Sequence, residues 1–155
     1  MKETTPEAKL TALKLILPPA PPPAGLYKPV RVSEGYLYIS GQAPMKEDGT
    51  YICSWAGVDM DRDSAKAAAL QVGLTMLATI RTHFGPLDGI DYLVKTLGMV
   101  NGHPDFHDYP YVINGFSELM AEVFGPEKGV GARSAVGMHL PGNVAVEIES
   151  IFKLR

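Results

Sequence analysis

The 155 residues suffice for one domain with a sizeable core, and 46% hydrophobic against 20% charged residues excludes a disordered chain. A formal net charge of −3, with Lys and Arg scattered along the sequence, disfavours nucleic acid as a partner. Cys53 is the single cysteine, which excludes an internal disulfide and a cysteine-based zinc cluster and fits a reducing compartment.

Met1 to Lys9 carries Glu3 and Glu7, and the apolar run Leu13 to Leu17 is too short for a signal peptide and is broken by Lys14. No stretch approaches the roughly 18–20 apolar residues of a membrane span, so the expected location is the cytoplasm with no membrane partner. Thr5-Pro6-Glu7 predicts a helix start, with Thr5 as N-cap, Pro6 at the first position and an acid in the first turn. Leu10, Leu13 and Ile16 or Leu17 give that short helix one apolar side. Pro18 to Pro23 cannot continue it and predicts an extended strap on the surface of the domain that follows. Residues 1–25 are therefore read as helix and proline-rich strap, and 26–155 as the domain.

Val30 and Val32 flank Arg31 in a first strand, Ser33-Glu34-Gly35 turns, and Tyr36 to Ser40 alternates as a second. Gly41, Pro44 and Asp48-Gly49 make a loop, after which Tyr51 and Ile52 predict a short third strand. From about Asp61 to His83 the apolar spacing becomes helical, through Ala65, Ala69, Val72, Met76, Leu77 and Ile80, and Gly85-Pro86 stops it. Residues 90–101 predict a strand apolar on both sides, hence central and buried on both faces. A second helix follows Pro110, with Ile113, Phe116, Met120 and Val123 on one face, and Gly125-Pro126 ends it. Ala132 to Leu140 and Val144 to Phe152 predict two strands, and Pro141-Gly142-Asn143 between them signals a hairpin. The order describes an α+β chain whose two long helices cover one face of a mixed sheet, leaving the other face to a partner or a cavity.

Within that hairpin, odd-numbered positions share a face, which puts Arg133, Ala135 and Gly137 on the side of Glu147 and Glu149. Arg133 then lies opposite Ile151, four positions from Glu147 and roughly 13 Å along the strand. Small residues between them suggest a pocket floor. Arg133 would be a planar, permanently charged fork for a carboxylate, and Glu147 would orient a water or exchange a proton. From spacing alone, two strand residues in surface ion pairs is the stronger reading. His103, Asp105, His107 and Asp108 match no metal-ligand spacing and are read as a solvated loop with Asp108 as helix N-cap. His83 and His139 stand alone, Cys53 is read as a small, partly buried residue and not a nucleophile, and Tyr36, Tyr38, Tyr92, Tyr109 and Tyr111 as core and interface residues.

Tyr36 to Pro44 (YLYISGQAP), Gly131 to Gly137 (GARSAVG) and Leu140 to Ser150 (LPGNVAVEIES), in that order, resemble the YjgF/Rid family, also known as L-PSP endoribonuclease-like proteins. The resemblance covers roughly residues 26–155 and is closest to a divergent branch, with Asn114-Gly115-Phe116-Ser117 in the second helix. It implies a chorismate-mutase-like α+β fold assembled as a homotrimer, with ligand sites in clefts between subunits. It further implies hydrolysis of reactive imines and enamines to 2-keto acids and ammonia, without metal or organic cofactor. Carried over by motif, Arg133 matches the arginine that binds the substrate carboxylate and Glu147 the acid beside the attacking water. Tyr27, Ser40 and Asn114 match pocket positions, and Ala135 stands where the family deaminases commonly carry a cysteine. The N-terminal helix, the strap and the Pro44 to Asp61 loop depart from the family pattern. Two other functions are compatible with the same cleft: a non-catalytic module binding a keto acid or similar small carboxylate, and an endoribonuclease, which the acidic balance disfavours.

Overall fold

The N-terminal helix forms where its capping code places it. In a computed structural model of the chain, which describes residues 4–155, Thr5 accepts a hydrogen bond from the Ala8 N–H at 3.3 Å and Pro6 opens helix α1 (Pro6–Ala12). Met1, Lys2 and Glu3 of the expected N-terminal segment lie outside the described residues. The helix is shorter than its leucine spacing predicts. Lys14 turns into the left-handed region (φ 54°), so Leu15 and Leu17 pack against the core while Leu13 and Ile16 stay exposed. The strap that follows has neither helix nor strand, and Pro18 at its start is buried.

Strands β1 (Val30–Ser33), β2 (Tyr36–Gln42), β3 (Ile90–Asn101), β4 (Ala132–Met138) and β5 (Val146–Leu154) form one sheet in the order β1-β2-β5-β3-β4. All neighbours are antiparallel except β3 and β4, which run parallel. Glu34 and Gly35 both take positive φ in the turn between β1 and β2, as a tight hairpin requires. Tyr51 and Ile52 do not make a strand. Tyr51 forms only an isolated bridge to Met45, and Cys53 another to Val144.

The C-terminal strands do not pair with each other, and this overturns the expected hairpin. Helix α3 (Tyr109–Phe124) is the crossover that brings β4 back parallel to β3, while β5 takes the other edge of β3. The Pro141–Asn143 turn carries the chain past the end of β3. Asn101, the buried last residue of β3, holds that crossing: its side-chain amide donates to Ser54 O and Asn143 Oδ1, and its Oδ1 accepts from the Leu140 N–H.

Helix α2 (Arg62–His83) starts at Asp61, whose carboxylate accepts from the Ser64 N–H at 2.7 Å. It packs with α3 on one face of the sheet. Leu37, Ile39, Val146, Ile148 and Phe152 face the helices and bury against Val72, Leu77, Ile80, Ile113 and Phe116. Gly98 sits under Ile113 and Gly115 meets the Lys66 carbonyl across the two helices, so both contacts depend on the absence of a Cβ. The other face carries Tyr38, Leu97, Met99, Val136 and Ile151, all exposed or half-buried. Strand β3 is thus interior to the sheet but buried on one face only, because no described element covers the second. No described helix is long and apolar enough to cross a membrane.

Candidate functional site

The predicted site residues fall into two groups on opposite sides of the sheet. Arg133 aligns with Thr96, and Thr96 with Ser150, whose hydroxyl meets the Thr96 hydroxyl at 3.0 Å in the buried, helix-facing layer. The arginine therefore leaves the sheet on the helix side. Its Nη1 donates to Ser117 Oγ at 3.0 Å and its Nη2 to the Pro110 carbonyl at 3.1 Å. These two bonds splint the guanidinium against the first turns of α3, and its remaining donors stay available at the open edge of β4. Asn114 lies on the same helix stripe, between Pro110 and Ser117. Ala135, two residues beyond Arg133 on the same face, is half-buried and packs against the core.

Glu147 aligns with Met99 and points the other way. The expectation that odd positions of the two strands share a face is overturned, because the register runs through β3 and matches odd residues of β4 to even residues of β5. Glu147 lines a cavity of about 670 Å³ together with Tyr27, Ser40, Gly41, Gln42, Tyr51, Cys53 and Glu149. Between Ile39 and Gln42 strand β2 advances three residues while β5 advances two, a bulge at Ser40-Gly41. Glu147 Oε1 occupies the space that a Cβ on residue 41 would need, so glycine there is what admits the carboxylate.

Glu147 is half-buried and makes no hydrogen bond or ion pair with the described residues. Burial, and then the charge of Glu149, hold its carboxyl above the usual carboxylate value. Ser40 donates its hydroxyl to the Lys28 carbonyl at 2.6 Å, which ties the bulge to the segment carrying Tyr27. Gln42 is buried: its Nε2 donates to the Ser40 carbonyl at 2.9 Å and its Oε1 accepts from the Thr79 hydroxyl at 2.7 Å. The bulge is thereby fixed from both sides. Gln42, Tyr51 and the strap prolines are site-lining residues that sequence reasoning missed. The only signal for Gln42 was a polar side chain at a helix-facing strand position.

Cys53 is exposed in the cavity wall, a correction to its reading as partly buried. The His103 to Asp108 segment is a loop, and among the described residues no group of three or more His, Cys, Asp or Glu could hold a metal ion. His103 and His139 instead lie against the Trp55 ring, with centroids 5.2 and 6.1 Å away. Asp108 stands at the N-cap position of α3 but does not cap it with its side chain; its carboxylate pairs with Arg62 at 3.6 Å.

No protein-family model matches the chain. Protein TCP17 of Trypanosoma cruzi is 35% identical over 148 residues, covering 95% of this chain and 92% of that protein. An Agrobacterium tumefaciens protein of unknown function, solved by crystallography, is 37% identical with a TM-score of 0.86, covering 97% of this chain and 94% of its own. A Shewanella oneidensis protein provisionally named an endoribonuclease is 28% identical with a TM-score of 0.91, covering 97% and 99%. RidA of an Antarctic Psychrobacter shares the fold at 24% identity and a TM-score of 0.57, covering 87% and 94%.

Proposed function

The chain belongs to the YjgF/Rid family, and from that premise we propose that it hydrolyses 2-imino acids to 2-keto acids and ammonia in a cleft between subunits of a cytoplasmic homotrimer. The observation that carries this reading is the division of the site: an unpartnered carboxylate in a cavity on one face, and a splinted arginine fork at the edge of the other. Neither half suffices. A neighbouring copy that covers the uncovered sheet face would bring its Arg133, Asn114 and Ala135 to the Tyr27, Ser40 and Glu147 of the first.

In that cleft Arg133 holds the substrate carboxylate through paired hydrogen bonds. Glu147 accepts a proton from water as its oxygen bonds to the iminium carbon, giving a tetrahedral carbinolamine. Glu147 then returns that proton to the nitrogen, the C–N bond breaks to release ammonia, and the oxygen's remaining proton passes through Glu147 to the ammonia as the carbonyl forms. Iminium and water become keto acid and ammonium, and no step requires a metal or organic cofactor.

A non-catalytic keto-acid-binding module is the second reading, favoured by Ala135 where the family deaminases commonly carry a cysteine. RNA cleavage draws support from the names of solved neighbours alone. Against it stands the acidic balance of the chain, with a formal net charge of −3. The deciding experiment generates 2-aminoacrylate with a pyridoxal-phosphate dehydratase and follows keto-acid release. Acceleration by the chain, reduced about 100-fold by Arg133→Ala, is expected. Acceleration that survives this substitution would remove Arg133 from the site, and no acceleration with retained keto-acid binding would establish the binding module.

A further inference from the structure

We propose that the proline strap is part of the cleft, and that with Tyr27 and Tyr51 it forms an apolar wall selecting 2-imino and 2-keto acids with large apolar side chains. This rests on the reading of the cleft as a 2-imino or 2-keto acid site and adds the substrate's size and polarity to it. Pro21, Pro22 and Pro23 line the same cavity as Glu147, together with Tyr27 and Tyr51.

The chemistry of the wall follows from its residues. Proline has no N–H, so three in a row offer a ligand pyrrolidine rings and no backbone donors. Their fixed φ also keeps the wall in place at small entropic cost. The strap is held at both ends: Pro18 is buried at its start, and the Ala24 N–H donates to Tyr27 Oη at 3.1 Å at its finish. Tyr27 and Tyr51 are partly exposed, at 48% and 40%, and both line the cavity. Burial, and then proximity to Tyr27, raise the Tyr51 phenol above its usual value.

The cavity is therefore polar at Ser40, Glu147 and Glu149 and apolar along the strap. At about 670 Å³ it is far larger than a three-carbon acid fills. A ligand that satisfies both ends places its imine nitrogen or keto oxygen near Glu147 and a branched or aromatic side chain against the prolines. The strap residues lie outside the segments that carry the catalytic halves, so they can tune selectivity without touching the reacting atoms.

Titration calorimetry with phenylpyruvate and pyruvate tests the wall without relying on catalysis. The full chain should bind phenylpyruvate about 10- to 50-fold more tightly than pyruvate. That ratio should collapse towards one when Pro21→Ser, Pro22→Ser and Pro23→Ser are combined, and separately in Tyr51→Ser, which leaves the strap sequence intact. Equal affinities in the native chain, a preference that survives both variants, or no binding of either acid would overturn the proposal. A parallel assay supplies the imines of phenylalanine and alanine with an amino-acid oxidase. Selective binding without accelerated hydrolysis would refute deamination and leave the wall standing; hydrolysis of both imines with equal efficiency would do the reverse.

Discussion

Arg133 and Glu147 project from opposite faces of one sheet: Arg133 aligns with Thr96 in the helix-facing layer, and Glu147 with Met99, three residues further along β3 and on the uncovered side. A small substrate cannot touch both within one chain. If each site takes its arginine from one subunit and its glutamate from the next, inactive variants must complement each other. Arg133→Ala and Glu147→Gln, unfolded together in equal amounts and refolded, should regain about a quarter of native activity, the fraction of interfaces that combine both intact halves. Refolded separately, each stays inactive. Failure of the mixture to regain activity would place both groups of a site in one chain or outside the chemistry.

The pH profile should carry the mark of Glu147. Its carboxyl is raised first by burial and then by Glu149, and only its ionised form can accept a proton from water. As pH falls through this raised value the base is lost, so kcat/KM should drop at a higher pH than an ordinary carboxylate would dictate. Glu149→Gln removes the smaller cause and should move the acid limb to lower pH. Glu147→Gln should abolish the limb and lower the rate about 10²- to 10⁴-fold.

The same shift has a stability consequence of opposite sense to an ion-paired acid. A carboxyl whose folded pKa is raised destabilises the fold above that pKa, and the penalty is relieved as pH falls towards the unfolded value. Thermal melts of Glu147→Gln should therefore exceed the native Tm by about 1–3 °C at neutral pH and converge with it below about pH 4.

Two glycines in the helix pair should respond differently to alanine. A Cβ at Gly115 meets the Lys66 backbone carbonyl, which cannot move without shifting α2, so Gly115→Ala should cost about 1–3 kcal/mol. At Gly73 the neighbours are the ends of Leu119 and Met120, which can rotate, and the gain in helix propensity of about 1 kcal/mol offsets the crowding. Gly73→Ala should be near neutral in denaturant unfolding. Equal costs would mean that backbone contact is not what separates the two sites.

Asn101 should matter to the cleft as well as to stability. Asn101→Ala leaves Asn143, Ser54 and the Leu140 N–H without their partner, at a cost of about 1–3 kcal/mol. Pro141 and Gly142, which these bonds hold, line the cavity containing Glu147. Hydrogen exchange in residues 139–145 should accelerate, and keto-acid affinity should fall. Unchanged exchange there would show that the crossing is held by packing alone.

Local signals made most elements legible. The Thr5 cap, the apolar spacing from Ala65 to Ile80, and the alternation through Tyr36 to Ser40 each act within a few residues, so the chain states them directly. The motifs around Ser40, Arg133 and Glu147 named the family and both halves of the candidate site. What the sequence alone determined, then, is most of the helices and strands and the family resemblance, though not the isolated bridge at Tyr51 or the early end of the first helix. Only the tertiary structure decided that β3 separates β4 from β5, that Arg133 and Glu147 face apart, and that the strap lines the cavity containing Glu147. Strand pairing is a contact between distant residues, and alternation says that a side chain changes face at each step without saying which neighbour sets the register. The proline-rich run announced only an extended chain; its place beside Glu147 depended on where Pro18 buried and on the bond from Ala24 to Tyr27.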